Sequence, residues 1–230
     1  MHGEISFRIF VPAPRGRFDF YKEAMIKNII FDLGGVVVAW RPDYIFQTFP
    51  GNPALVEQIR YSPFFVDTWS AFDRGMITKE ELVEQAVKIT GCPEEDCEAF
   101  ISYIKSSLTD LPETIALIRE LSEKGYRLFC LSNMSIDFYD YLKEREVFRY
   151  FEGKVISAKE RLIKPDPAIY TLILQRYRLK PEETLFIDDL EPNLQAAREQ
   201  GIHTVHFTGD SNAYNEIRGR LTMSSNDDKA

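Results

Sequence analysis

Short runs of β-branched and aromatic residues alternate with helical segments over most of this 230-residue chain. The first run is apolar over nearly its whole length, as in a strand that is buried on both faces of a sheet. The runs predict strands at residues 28–38, 127–131, 154–157, 184–187 and 203–207. The helical pattern predicts helices at residues 112–124, 135–149, 167–177 and 192–200. Because such alternation joins parallel strands through helices, the sequence predicts an α/β fold with a doubly wound parallel sheet.

A long stretch without a strand pattern separates the first predicted strand from the helix at residue 112, for which Asp110 is a candidate N-cap. Segments 53–60, 78–90 and 93–105 of this stretch are helical in pattern, and Thr78 and Glu81 have the spacing of a capping box. We therefore expect an inserted helical cap. The expected division is an N-terminal extension at 1–24, a core at 25–40 and 109–223, a cap at 41–108, and a polar tail at 224–230.

The composition limits the partners of the chain. A net charge of −8 and a pI near 5.1 argue against a nucleic-acid binder, which would carry a basic stripe. No apolar stretch approaches the length of a membrane span, and residues 1–24 lack the continuous apolar segment of a signal peptide. The cysteines Cys92, Cys97 and Cys130 show neither a zinc-site spacing nor a disulfide framework. We expect a cytoplasmic protein with neither a nucleic-acid nor a membrane partner, and the sequence leaves its oligomeric state open.

Polar residues follow several of the predicted strands at the point where each strand ends. In doubly wound sheets, ligands bind at the carboxyl ends of the strands, where the strand order switches direction. We therefore expect these residues to converge on one crevice. They are Asp32, Gly34, Gly35, Ser132, Asn133, Lys164, Asp188 and Asp189.

The acidic members of this set indicate a metal site. Asp32, Asp188 and Asp189 cannot all stay ionised close together without a cation. Carboxylate oxygens suit Mg²⁺, which also binds phosphate oxygens. A carboxylate can attack phosphorus and form an aspartyl-phosphate. Lys164 and Ser132 could then hold the phosphoryl oxygens as charge develops on them.

The remaining members offer further contacts to a phosphate. Gly34 and Gly35 would let the backbone approach the phosphate closely, because glycine has no side chain beyond its Cα. The side chain of Asn133 and nearby backbone N–H groups could add hydrogen-bond donors.

Four motifs in order resemble those of the haloacid dehalogenase (HAD) superfamily: FDLGGV at 31–36, LSN at 131–133, KPDPAIY at 164–170 and FIDD at 186–189. Within it the chain looks most like bacterial sugar-phosphate phosphatases of the α-D-glucose-1-phosphate type and the phosphatase domain of soluble epoxide hydrolases. The resemblance implies a Mg²⁺-dependent phosphatase. Its substrate would be a small phosphorylated metabolite, such as a sugar phosphate, and the inserted cap would select it.

The resemblance also implies roles for individual residues. Asp32 would be the nucleophile and a metal ligand, and the carbonyl of Gly34 would be a second ligand. Asp189 would bind Mg²⁺ directly, and Asp188 would bind it directly or through water. Ser132 and Lys164 would bind the phosphate, and Lys164 would also neutralise Asp32.

One position departs from the pattern of most phosphatases of this superfamily. Gly34 stands where they carry a second Asp, which protonates the leaving group and later activates water. Such a general acid–base is worth roughly 10² to 10⁴ in rate. We therefore expect a preference for good leaving groups and a persistent aspartyl-phosphate, unless the cap supplies an acid. The candidates for that acid are Asp43, Asp67 and Asp73.

Other residues around these motifs have less specific roles. Asn193 either orients Asp188 or Asp189 or only belongs to a first helical turn. His203 and His206 flank a strand and are expected to be structural. Residues Trp40, Arg41, Trp69, Phe72 and Arg74 could line the cap side of the pocket, where the aromatic side chains would pack cap against core and the two arginines could bind an anionic end of the substrate.

Two other functions fit parts of the sequence. A metal-independent haloacid dehalogenase also uses an Asp nucleophile without a second Asp, so Gly34 is compatible with it, but the Asp188–Asp189 pair makes sense mainly with Mg²⁺. A catalytically weak protein that binds a phosphorylated ligand and serves in regulation would keep Lys164, Ser132 and the metal site.

Overall fold

The computed structural model describes residues 25–223. Its centre is a sheet of five strands: β1 Asn28–Phe31, β2 Arg127–Ser132, β3 Gly153–Ile156, β4 Thr184–Asp188 and β5 His203–His206. Their order across the sheet is β3-β2-β1-β4-β5, and every neighbouring pair is parallel. The central strand β1 pairs with β2 on one side and β4 on the other, so the strand order switches direction at β1. The prediction of a doubly wound α/β fold is confirmed.

Between β1 and β2 the chain forms a helical layer, which we call the cap. It consists of α1 Pro42–Thr48, α2 Pro53–Arg60, a π-helix Phe64–Thr68, α3 Trp69–Asp73, α4 Lys79–Thr90 and α5 Glu94–Ser107. The core helices are α6 Pro112–Glu123, α7 Ile136–Leu142, α8 Ser157–Glu160, α9 Pro167–Tyr177, α10 Glu191–Glu199 and α11 Ser211–Met223, with 3-10 turns at Glu146–Tyr150 and Pro181–Glu183. Thr78 and Glu81 form both hydrogen bonds of the capping box before α4, as the sequence predicts.

The two faces of the sheet carry separate apolar clusters. Because side chains alternate along a strand, Ile29 and Phe31 point to one face and Ile30 to the other. The first cluster continues into the cap, whereas the second packs against α9 and α10. The cap therefore shares its apolar core with one face of the sheet.

The first strand is shorter than the sequence predicts. The run 28–38 was expected to be a single strand, but β1 ends at Phe31 and a tight turn follows. The carbonyl of Leu33 accepts hydrogen bonds from the N–H groups of Val36, Val37 and Val38, so their buried side chains belong to the turn. Burial alone cannot distinguish a turn packed into the core from a strand.

The expected helix 135–149 is interrupted. Helix α7 ends at Leu142, and the chain resumes as the 3-10 turn Glu146–Tyr150. This break brings Phe148 edge-to-face onto Tyr139, with ring centroids 6.1 Å apart. It also places the Arg145 guanidinium 2.6 Å from Oδ1 of Asp110.

The expectation that Asp110 caps α6 was wrong. Leu111 occupies the N-cap position, and no side chain caps the helix. The carboxylate of Asp110 is held by the ion pair with Arg145 instead.

Several other expectations concern the whole chain. Among residues 25–223, no helix combines the length and apolarity needed to cross a membrane. All three cysteines are free and buried. The expected N-terminal extension and polar tail, 1–24 and 224–230, lie outside the described residues.

Candidate active site

The ends of β1 and β4 bring three carboxylates together. Phe31 lies level with Ile187 in the sheet, so Asp32 and Asp188 leave the two strands side by side. One carboxylate oxygen from each of Asp32, Asp188 and Asp189 lies within 4.8 Å of the others. The structure thus brings together these three of the residues that the sequence predicts to converge on one crevice.

Among residues 25–223, one ammonium group, that of Lys164, contacts this cluster. Nζ of Lys164 lies 2.9 Å from Oδ1 of Asp32 and 2.6 Å from Oδ2 of Asp188. The backbone of Lys164 is fixed by Asn133, whose Oδ1 accepts from the Lys164 N–H at 2.8 Å and whose Nδ2 donates to the Lys164 carbonyl at 2.9 Å. Asn133 was expected to donate a hydrogen bond to a substrate. In the structure its side-chain amide instead positions Lys164.

Asp188 is the most enclosed of the three carboxylates. Its Oδ1 accepts from the N–H of Leu190 and from Nδ2 of Asn193, and its Oδ2 accepts from Lys164 and from the same amide. The hydroxyl of Tyr170 donates to the Asn193 carbonyl and supports this arrangement. Asn193 therefore orients Asp188, which settles the open alternative for that residue. With both oxygens engaged, Asp188 chiefly holds the Lys164 ammonium in place.

Asp32 has one oxygen held and one free. Its Oδ1 accepts from the N–H of Leu33 at 2.7 Å and contacts Lys164, whereas its Oδ2 accepts no hydrogen bond from residues 25–223. The fixed oxygen orients the carboxylate, and the free oxygen is directed neither to a backbone donor nor to the ammonium. This is the arrangement that a nucleophilic or metal-binding carboxylate needs.

Burial opposes the negative charge of the cluster. It raises the pKa of Asp32 to about 7, although the charge of Lys164 works in the opposite direction. Burial, followed by the charge of Asp188, also raises the pKa of Asp189. Burial lowers the pKa of Lys164, but Asp32 and Asp188 outweigh it and the pKa lies above its usual value. A divalent cation between the carboxylates would lower their pKa values again, because it favours their ionised form.

The glycines after Asp32 act differently from the expectation. Gly34 lines the same cavity as Asp32 and Asp189. Gly35 does not donate to that cavity, because its N–H bonds to the carbonyl of Val38 at 2.8 Å. It has a φ of +78°, and a Cβ at this position would lie 2.4 Å from Oδ2 of Asp189. Gly35 therefore admits the Asp189 carboxylate rather than a phosphate.

Ser132 and the histidines have clear positions. Ser132 is the last residue of β2 and is buried, and within residues 25–223 its hydroxyl makes no hydrogen bond to another protein group. Ser135, not Ser132, caps α7. His203 and His206 bond through Nε2 to the carbonyls of Glu182 and Asp189, which fits the expected structural role.

A cavity of about 500 Å³ opens between the cluster and the cap. Its floor contains Asp32, Lys164 and Asp189, and its walls include Trp40 and Trp69. The other residues expected on the cap side do not line this cavity. Phe72 is buried between Trp69 and Phe138, and Arg41 lines a separate depression. Arg74 lines neither the cavity nor that depression.

Of the three candidate acids in the cap, only Asp73 lines this cavity. Asp43 pairs with Arg60 at 3.3 Å, and Asp67 is exposed. Enclosure raises the pKa of Asp73 well above its usual value, although hydrogen bonds from Ser135 and Trp69 oppose the rise.

Asp73 also fastens the cap to the core. Its Oδ1 accepts from the backbone N–H of Ser135 at 3.1 Å, and its carbonyl accepts from the Ser157 hydroxyl at 2.5 Å. These two serines follow β2 and β3, so the end of α3 is held at the carboxyl edge of the sheet.

The family model of the haloacid dehalogenase-like hydrolases matches residues 26–210. The chain belongs to this family. The predicted membership of the HAD superfamily is thereby confirmed, and so is the prediction that the protein is a hydrolase.

Individual relatives of this HAD hydrolase cover most of its length. The sesquiterpene phosphatase astK of Aspergillus oryzae is 28% identical over 197 residues, which are 84% of this chain and 95% of that relative. The D-ribitol-5-phosphate phosphatase of Bacteroides thetaiotaomicron is 25% identical over 192 residues, 78% of this chain and 91% of that one. A solved HAD family enzyme of the same bacterium, in complex with magnesium and inorganic phosphate, is 26% identical with a TM-score of 0.64 and covers 78% of this chain and 92% of that chain.

Sequence reasoning missed part of the cavity wall of the hydrolase. Phe46, Phe65, Met134 and Phe138 line the cavity together with the two tryptophans. The dense aromatic residues of the inserted segment were the available signal, but their spacing does not show which rings face a cavity and which face the core.

Proposed function

We propose that the protein is a Mg²⁺-dependent phosphatase that hydrolyses a phosphate monoester through an aspartyl-phosphate on Asp32. The observation that carries this proposal is the pairing of a carboxylate cluster with one buried ammonium, Lys164, at the floor of a cavity. A cation beside Asp32 and Asp189 would bind one side of a phosphoryl group, and Lys164 would bind another.

The comparisons support this proposal from a different direction. Two relatives are named phosphatases, and a solved structure of the same family holds magnesium together with inorganic phosphate. The two named substrates differ in their organic part, one a sesquiterpene and the other a sugar alcohol phosphate. The shared element is the phosphate ester, which is the part that the charged floor would bind.

The residues present fit a Mg²⁺ ion. The donor set consists of carboxylate oxygens within 4.8 Å of one another, and Mg²⁺ prefers oxygen ligands. Asp32, Asp189 and the carbonyl of Gly34 would hold the ion, and Asp188 would contact it through water because its oxygens are engaged. When bound, Mg²⁺ would act as a Lewis acid toward the phosphoryl oxygens.

The free Oδ2 of Asp32 would attack phosphorus. A bond forms between this oxygen and phosphorus while the bond between phosphorus and the alcohol oxygen breaks. The Lys164 ammonium and the Ser132 hydroxyl would bind the phosphoryl oxygens during this transfer. Water then attacks the aspartyl-phosphate, which releases phosphate and restores the Asp32 carboxylate.

Asp73 would act as the general acid that position 34 lacks, because Gly34 has no side chain that can donate a proton. Its raised pKa favours the protonated form, which can donate a proton to the departing alcohol oxygen. The resulting Asp73 carboxylate can then accept a proton from the attacking water. With Asp73 in this role, Gly34 no longer favours the alternative of a weak binding protein, and the cluster around Asp189 has no evident use in a metal-independent dehalogenase.

Phosphate release would test this function. The purified protein is assayed on a panel of alkyl, aryl, sugar and acyl phosphates, with Mg²⁺ and with EDTA. We expect release that requires Mg²⁺, and we expect Asp32→Asn to abolish it and to leave no phosphorylated protein in mass spectra. Release of halide from small haloacids in EDTA, or activity retained by Asp32→Asn, would overturn the proposal.

A further inference from the structure

The walls of the cavity differ from its floor. Above the carboxylates, rings and aliphatic side chains form a continuous apolar surface, made mainly by Trp40, Phe46, Phe65, Trp69, Met134 and Phe138. A volume of about 500 Å³ is within the range of sites that enclose small organic ligands. The organic part of a ligand whose phosphate lies on the floor would therefore contact apolar atoms.

The aromatic wall is held in place by contacts between its own rings. The ring centroids of Phe65 and Trp69 are 5.2 Å apart, those of Phe46 and Phe65 are 5.7 Å apart, and those of Trp40 and Trp69 are 5.9 Å apart. These contacts between rings leave the surface preformed.

Polar side chains on the walls are already paired. The hydroxyl of Ser62 donates to the Ile59 carbonyl at 2.9 Å and accepts from the N–H of Phe64. Arg60 pairs with Asp43. The amides on the wall, described above, hold the backbone of the catalytic lysine and the Asp188 carboxylate. A sugar would lose water from several hydroxyl groups here and find few free partners, which costs binding energy.

Two exposed apolar side chains extend this surface to the mouth of the cavity. Val66 of the π-helix is 75% exposed, and Leu190, next to Asp189, is 55% exposed. Both line the cavity, one from the cap and one from the core. A hydrocarbon chain that leaves the cavity would cover them.

We infer that the substrate is the monophosphate of an apolar alcohol, with its hydrocarbon body against the aromatic wall and its phosphate on the charged floor. This inference rests on the proposed phosphatase function and replaces the expectation of a sugar phosphate. Charge and apolar surface are separated along the cavity as they are along such a molecule.

A homologous series tests the inference at constant chemistry. Ethyl, butyl, hexyl and octyl phosphate share a primary alcohol as leaving group, and so does D-ribitol 5-phosphate. We expect kcat/KM to rise roughly threefold to fourfold per methylene until the cavity is filled, the factor that burial of one CH₂ group corresponds to. Octyl phosphate should then exceed D-ribitol 5-phosphate by more than tenfold.

Two variants test whether the apolar wall causes the dependence of kcat/KM on chain length. Phe65→Ala should flatten the chain-length series. Val66→Asn changes an exposed side chain, where substitutions usually have little effect on stability, and it should lower kcat/KM for octyl phosphate severalfold through KM. Tyr61→Asn is the matched control, because Tyr61 is 80% exposed on the same cap but does not line the cavity. It should leave the series unchanged.

The failures are distinguishable. A flat series, or a preference for D-ribitol 5-phosphate, would overturn the inference while the phosphatase function stands. A steep series that Val66→Asn and Phe65→Ala both leave intact would overturn the assignment of this wall. If no ester or acyl phosphate releases phosphate at all, the proposed function fails and the inference fails with it.

Discussion

Replacing Lys164 with methionine would test the electrostatics of the site most directly. The Lys164 side chain is 1% exposed and its partners Asp32 and Asp188 are 10% and 0% exposed, so water cannot compensate for the missing charge. Removing one partner of a buried ion pair costs about 3 to 5 kcal/mol. In a chain of this size 1 kcal/mol corresponds to roughly 2 to 4 °C, so the melting temperature of the metal-free protein should fall by roughly 6 to 20 °C.

The matched control is Lys105→Met. Lys105 pairs with Asp137 at 2.8 Å, but the two side chains are 22% and 30% exposed. Partly solvated pairs contribute about 0 to 1 kcal/mol, so this variant should melt within a few degrees of the parent protein.

Thermal denaturation of the three proteins, followed by phosphate release with Mg²⁺, separates the contributions. Lys164→Met should also lose at least roughly 10²-fold in kcat, because the charged group that we propose to bind the phosphoryl oxygens is removed. If Lys164→Met melts no lower than Lys105→Met, or if it keeps its kcat within a few fold, the ammonium does not have the role assigned to it.

Three further predictions concern the same site. Gly35→Ala should weaken Mg²⁺ activation at least tenfold, because the added Cβ would displace the Asp189 carboxylate. The control is Gly91→Ala, at a φ of +66° with open space around the added Cβ. It should lower only the free energy of unfolding, by about 1 to 3 kcal/mol, through backbone strain. Asp73→Asn should lower kcat on alkyl phosphates by roughly 10² to 10⁴ and much less on nitrophenyl phosphate, whose leaving group needs no proton. Burial raises the pKa of Asp32 to about 7, so between about pH 4 and 7 the folded state binds more protons than the unfolded state. The metal-free protein should therefore lose stability as the pH rises through that window. Mg²⁺ should raise the melting temperature more at pH 8 than at pH 5.

A specific experimental result would contradict each of these three predictions. Equal Mg²⁺ activation curves for the two glycine variants would remove the steric argument at Gly35. A uniform loss on alkyl and nitrophenyl phosphates would make Asp73 a structural residue. A Mg²⁺-induced shift in melting temperature that is the same at pH 5 and pH 8 would show that the carboxylates do not titrate in this range.

The sheet and the charged floor of the site were predictable because both depend on local patterns. A strand followed by Asp32, and another followed by Asp188 and Asp189, place their carboxylates at one edge wherever the strands are parallel and adjacent. The sequence does not state that the strands are neighbours, but burial of strands on both faces leaves few arrangements.

The errors occurred where hydrogen bonds, local or long-range, override the hydrophobic pattern of the sequence. The apolar residues after Asp32 form a turn because Leu33 accepts their hydrogen bonds, and Asn133 binds the backbone of Lys164 from a distant part of the chain. Neither contact shows in the hydrophobic periodicity, although the Gly34–Gly35 pair inside the first segment is a turn signal. The choice of Asp73 among three cap carboxylates likewise required knowing which side chain faces the floor.

The anchorage of Asp73 has a consequence for the timing of the reaction. The proposed proton donor, Asp73, belongs to the cap and the proposed nucleophile, Asp32, to the core, and hydrogen bonds from Ser135 and Ser157 hold the end of α3 at the sheet. Any motion that lifts this helix to admit a substrate would carry the acid away from Asp32. Under the proposed mechanism, departure of the alcohol and hydrolysis of the phosphorylated enzyme would therefore both require the cap and the core to be in contact.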